Sequence, residues 1–179
     1  MKLSLPLSRA RLRVSPGVIA TALVVLALDQ ITKSWITQTL GQSGQPHSVE
    51  VVGAFVRLSY TTNSGAAFGM FPAGTWLFTL VALIAVPVLL FARNYVSDRI
   101  WWMTVVFGMM LGGTLGNLLD RIRVGRVTDF IDVGVGNLRW WSFNVADSSF
   151  VVGIILLTIY LSFSSEDERE QPDDRPFAV

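Results

Sequence analysis

Four long apolar runs decide what this chain can become. They cover residues 16–36, 75–91, 101–119 and 146–163, and each approaches the roughly 20 residues that a helix needs to cross about 30 Å of hydrocarbon. A segment inside a bilayer must close its own backbone hydrogen bonds, so each run is expected to be a transmembrane helix. Pro87 interrupts the second run, a break that neighbouring helices accommodate in a membrane. The composition agrees: 51% of the 179 residues are hydrophobic, 15% are charged and the mean hydropathy is +0.52, too apolar for an ordinary soluble domain. The expected fold is therefore a mainly α membrane protein with one domain over residues 1–163, followed by an acidic, disordered tail over 164–179.

The same composition excludes several functions. A formal net charge of +1 with no dense basic patch argues against nucleic-acid binding. Without cysteine there is no disulfide or thiolate chemistry, and the single His47 cannot form a histidine metal cluster. No metal or cofactor is expected.

Lys2, Arg9, Arg11 and Arg13 precede the first run, as they would in a cleaved signal peptide. The apolar core continues into Asp29 and Lys33 without a small-residue cleavage pattern, so retention as a helix is the expectation. The positive-inside rule places this basic terminus in the cytoplasm, together with the loop that carries Arg93 and Arg99. Four spans then return the C-terminus to the same side. Arg121, Arg123, Arg126 and Arg139 fall on the outer side, against the rule.

Two segments are left over the outer helix ends. Residues 48–61 are rich in β-formers around a central Gly53-Ala54 turn signal and predict a small hairpin or sheet lying on the bilayer surface. Residues 121–144 hold Asp129 and the Trp140-Trp141 pair, whose amphipathic rings suit the headgroup level. Asp129 is read on an irregular stretch.

Polar residues within the helices are patterned. Asp29 and Lys33 stand four apart with the acid first, the order that pairs well on one helical face. An ion pair that fixes this helix in the bundle is the expectation, since an unpaired charge at that depth is costly. Gly108, Gly112 and Gly116 form a ridge along which another helix can approach closely. Gly113, Asn117 and Arg121 share a neighbouring stripe, which points the last two together toward the outer end. Arg121 is either part of a polar face or an anchor reaching the headgroups. Asp120 is expected to pair with an arginine.

Asp129 and Asp147 are the candidate acid and base. Ionisable groups at a bilayer edge are expensive and so are candidates for function, and peptide hydrolysis without a nucleophilic side chain needs one carboxylate to take a proton from water while a protonated one donates. Bland alternatives stand beside this. Asn144 and Asp147 are spaced as an N-cap and its third helical residue, and Asp129 is equally readable as an exposed loop carboxylate.

Five blocks extend the reading: Asp29-Gln30-Ile31-Thr32-Lys33, Asn63-Ser64-Gly65-Ala66-Ala67-Phe68-Gly69, Gly112 through Arg121, Val127-Thr128-Asp129-Phe130, and Phe143-Asn144-Val145-Ala146-Asp147-Ser148. In this order and at this spacing the chain resembles bacterial lipoprotein signal peptidase, or signal peptidase II. The resemblance implies a four-helix membrane aspartyl endopeptidase with an outer β-cradle and a short periplasmic-side helical segment. Its substrates would be prolipoproteins carrying a diacylglyceryl-modified cysteine, cleaved before that cysteine in the bacterial inner membrane, with membrane lipids around a monomeric enzyme. It further implies that Asp129 and Asp147 are catalytic, that Asn63, Asn117, Arg121 and Asn144 line the site, and that Asp29 and Lys33 are a structural pair. Thr128 and Val133-Gly134-Val135 depart from the family pattern in ways that bear on loop packing. The rival from another class is a small multi-span ion transporter or channel using the same carboxylates, weakened by the lack of an internal repeat and by a polar cluster away from the midplane.

Overall fold

A computed structural model describes residues 15–42, 48–64, 74–96 and 100–167. The N-terminal basic residues, His47, Arg99, the Gly65 to Gly69 part of the second block and residues 168–179 lie outside them. Four helices are long and apolar enough to cross a membrane: α1 (Pro16–Leu40), α2 (Thr75–Ala92), α3 (Trp101–Val124) and α4 (Val145–Asp167). Each anticipated run is found, and three extend well beyond it. Hydropathy falls at the first charged residues, whereas a helix stops where its backbone can no longer continue. In α3 that point is Gly125, whose φ of +74° gives the left-handed residue that closes the helix with its N–H on the Arg121 carbonyl. Ser164 to Asp167, read as the start of the tail, continues α4 as helix.

α3 is the most buried helix and packs against α1, α2 and α4. Gly108 and Gly112 meet α1 at Thr21 and Ala22, so closely that an added Cβ would run into its backbone. The expected glycine ridge is thus the α1 contact, and Gly113, on the next stripe, meets the Ala146 carbonyl of α4 in the same way. Val18, Ala22, Met103, Val106, Phe107 and Met110 form the core between these helices. Few of the described side chains of α2 and α4 are buried, as in lipid-facing helices.

At one end sits a four-stranded antiparallel sheet in sequence order, made of β1 (Ser48–Val52), β2 (Val56–Asn63), β3 (Val127–Val135) and β4 (Leu138–Arg139). The hairpin over 48–61 is present, turning at Gly53 with φ +48°. Asp129 corrects the irregular-stretch reading. It lies within β3, its Cα opposite Thr61 of β2, and is 4% exposed. Ile36, Leu40 and Phe130 pack the sheet onto α1.

Among the described residues no short helix lies at the sheet end, where residues 43–47 and 65–73 are outside the description. Arg93–Tyr95 form a 3-10 turn at the opposite end of α2. Arg93, counted above as a loop charge, is buried there, its guanidinium donating to the Val96 carbonyl and the Thr104 hydroxyl.

Candidate active site

The site is assembled where the chain leaves β4 and enters α4. Phe143 bridges back to Ile131 of β3, its N–H on the Ile131 carbonyl at 3.0 Å, and this seats Asn144 beside Asp129. Asn144 then caps α4. Its side-chain oxygen accepts the Asp147 N–H at 2.9 Å, and Asp147 accepts the Asn144 N–H at 3.2 Å, the reciprocal pattern of a capping box. The capping alternative for Asp147 is therefore real, but it does not exhaust the residue. Asp147 also accepts the side-chain amide of Asn117 at 2.7 Å and borders a cavity of about 630 Å³.

Asp129 borders the same cavity. The Asn144 amide reaches across to it at 2.7 Å while the Asn144 backbone N–H holds the Asp147 carboxylate, so one residue contacts both carboxylates, and Asn63 donates to the other Asp129 oxygen at 3.3 Å. Burial pushes the Asp129 carboxyl up from its ordinary 3.8 to about 7, and the charge of Asp147 pushes the same way. The amide donors of Asn63 and Asn144 and the charge of Lys33 oppose this less strongly. The pair is thus suited to share one proton, with one carboxyl donating and the other accepting.

This raised value has a consequence for stability. Asp129 holds its proton up to about pH 7 in the folded protein, while the unfolded chain releases it near 3.8, so this group's contribution is full below that value and is lost as pH rises toward 7. Asp129→Asn should flatten that decline. Its melting temperature relative to the parent should rise between about pH 4 and pH 7, and a constant difference across that range would remove the buried-proton account.

The polar face anticipated on α3 is present. Asn117 contacts Lys33, Asn144 and Asp147. Arg121 donates to the Asn117 carbonyl one turn back at 3.3 Å, and its guanidinium lies 5.5 Å from the centre of the Phe78 ring. It faces the cavity that Asp129 and Asp147 border. Trp140 and Trp141, with ring centres 4.5 Å apart, form another wall. The expected Asp29–Lys33 ion pair is formed at 2.8 Å and buried.

Two partners of that pair were not legible. Asp120 binds Lys33 at 2.8 Å, not an arginine, and accepts the Gln30 amide at 2.9 Å. Asp29 accepts the backbone N–H of Ala146 at 3.0 Å, joining α1 to the first turn of α4. The available signal was spacing, since Asp120 stands three residues after Asn117 and such residues are neighbours on a helix surface.

Comparison with known proteins places the chain in a family. The family model for "Signal peptidase (SPase) II" matches residues 21–163. A lipoprotein signal peptidase of Desulfitobacterium hafniense is 36% identical over 148 residues, covering 82% of this chain and 93% of the relative. One from Mycobacterium bovis is 42% identical over 153 residues, covering 81% and 70% respectively. Among solved structures, a bacterial membrane enzyme determined by the in meso method at 2.3 Å resolution superposes with a TM-score of 0.73 at 31% identity, covering 86% of this chain and 92% of that one. With its four membrane-crossing helices and a match that takes in both carboxylates, the chain belongs to the signal peptidase II family and is a multi-pass membrane peptidase.

Proposed function

We propose that this protein is an aspartic endopeptidase that removes signal peptides from diacylglyceryl-modified prolipoproteins, cutting before the lipidated cysteine, with Asp129 and Asp147 as the catalytic pair. The observation that carries the reading is that Asn144 contacts both carboxylates, Asp129 through its side-chain amide and Asp147 through its backbone N–H, and that both line one cavity. The enzyme acts as a monomer in the bacterial inner membrane, with both termini in the cytoplasm and the cavity toward the extracytoplasmic face.

In this mechanism Asp147 takes a proton from a water molecule whose oxygen attacks the scissile carbonyl carbon. Protonated Asp129 donates to the carbonyl oxygen as it gains charge. The tetrahedral intermediate then collapses, the C–N bond breaks, and the cysteine nitrogen leaves with a proton returned through the pair. Water reaches the carboxylates from the sheet end, while acyl chains remain in the bilayer, so a membrane site and a hydrolytic reaction are compatible.

Arg121 serves in this scheme to hold the substrate backbone or lipid headgroup, fixed from behind by Phe78 and the Asn117 carbonyl. Arg121→Lys should be poorly tolerated because a point charge does not reproduce a planar, forked donor. If Arg121→Ala binds and cleaves normally, the residue is only a headgroup anchor.

The direct test is incubation of the purified protein in detergent with a diacylglyceryl prolipoprotein, reading product by gel shift. Release of the signal peptide from the lipidated precursor, and not from the unmodified one, is the expected result. No cleavage of the lipidated precursor overturns the proposal.

A further inference from the structure

Lys33 is placed as more than a structural cation. Its ammonium group has donors and no acceptor; it forms ion pairs with Asp29 Oδ2 and Asp120 Oδ2, each at 2.8 Å, and donates a hydrogen bond to Asn117 Oδ1 at 3.0 Å. Neutralising the buried carboxylate of Asp29 and the partly buried one of Asp120 accounts for the two ion pairs. The third bond lands on an amide whose other end touches Asp147.

That third bond decides which way Asn117 faces. A donor-only ammonium admits only the amide oxygen, and the Asn144 amide donates to the same oxygen at 3.1 Å. The NH2 of Asn117 is thereby left to face Asp147, which it reaches at 2.7 Å. An NH2 group matches a carboxylate oxygen able to accept from water, whereas a flipped amide would match a protonated carboxyl. Asp29 supplies a second arm, because its other oxygen holds the Ala146 N–H in the turn that carries Asp147.

We propose that Lys33, together with Asp29, is a positioning residue for peptide cleavage, fixing the Asn117 amide and the first turn of α4 so that Asp147 is held ready to take a proton from water. The inference rests on the reading of Asp147 as a catalytic group. The charged groups around Asp147 are Lys33 and Asp29 from α1, Asp120 and Arg121 from α3, and Asp129 from β3. Among the described residues only Lys33 both carries positive charge and bonds to a side-chain amide that touches Asp147; Arg121 bonds to the Asn117 backbone carbonyl instead.

The test is a cycle of Lys33→Met, Asn117→Ala and the double variant, assayed on a diacylglyceryl prolipoprotein in detergent with Asp147→Asn alongside. Lys33→Met should lower kcat by about 10²-fold, the scale of a misplacement of about 1 Å, while KM changes little. In the Asn117→Ala background the same substitution should lower kcat less than about twofold further, since the two act through one contact. A merely structural lysine would instead give multiplying losses, and that result, or a normal kcat in Lys33→Met, overturns the inference. The comparison is repeated with Asp120→Asn present throughout, which removes one of the two carboxylates left unpaired when Lys33 is lost. Absence of folded protein in both backgrounds would make Lys33 a folding device alone and likewise overturn it. Retained turnover in Asp147→Asn would instead overturn the underlying reading of the dyad, a separate outcome from a dead Asp147→Asn beside a normal Lys33→Met.

Discussion

Replacing either carboxylate by its amide, Asp129→Asn or Asp147→Asn, is expected to abolish cleavage while leaving a folded membrane protein. The amide keeps the shape and the hydrogen-bonding capacity of one oxygen but can neither remove a proton from water nor donate as an acid does. General acid or base assistance is worth roughly 10²- to 10⁴-fold for each group, and because the two act as a unit the double variant should be little worse than either single one. Folding should survive because the amide oxygen still accepts the shorter bond on each carboxylate, from Asn144 at 2.7 Å for Asp129 and from Asn117 at 2.7 Å for Asp147, so only the longer contacts with Asn63 and the Asn144 N–H are lost. The check is turnover of the purified variants beside their thermal unfolding. Near-normal turnover by either one would remove that aspartate from the mechanism.

The helices were legible because a bilayer leaves so few alternatives: four mainly apolar runs, each 17 residues or longer, leave little besides four spans. Pairing across long sequence separations was not. Asp129 lies in Val127-Thr128-Asp129-Phe130-Ile131-Asp132-Val133, where acids at the third and sixth positions break the two-residue alternation that marks a half-buried strand. Its partner strand β2 ends 64 residues earlier than β3 begins, at Asn63 against Val127. Nothing local announces that pairing, and without it Asp129 reads as a loop residue.

The site itself was partly legible. Periodicity placed Asn117 and Arg121 on one face of α3 and found the Asp29–Lys33 pair, because those are relations within a helix. Which helix faces which is decided by packing, so periodicity could not give Asp120 to Lys33 or the Ala146 N–H to Asp29. Asn144 shows the same division. Its role as a cap follows from three-residue spacing to Asp147, whereas its bond to Asp129 depends on the Phe143–Ile131 bridge.

Turnover should fall steeply once pH rises through about 7, because in the proposed mechanism the proton that Asp129 holds is the one donated to the scissile carbonyl. Burial sets that limb, with the charge of Asp147 adding to it. The sign is fixed by the role: an acid works while protonated, so the limb attributed to Asp129 is a loss with rising pH, about tenfold for each further pH unit. A fall on the acid side, where Asp147 gains a proton and can no longer act as base, completes a bell whose two limbs belong to the pair as a whole. The N-terminal turn of α4 supports the division of labour, since its dipole favours negative charge at Asp147 by about 0.3 to 1 kcal/mol, and β3 offers Asp129 no such help. Carboxyl-resolved infrared titration of the two amide variants reads the order independently of turnover. A protonated-carboxyl band near neutral pH should persist in Asp147→Asn, which keeps Asp129, and vanish in Asp129→Asn. The reverse pattern would make Asp129 the base and Asp147 the acid.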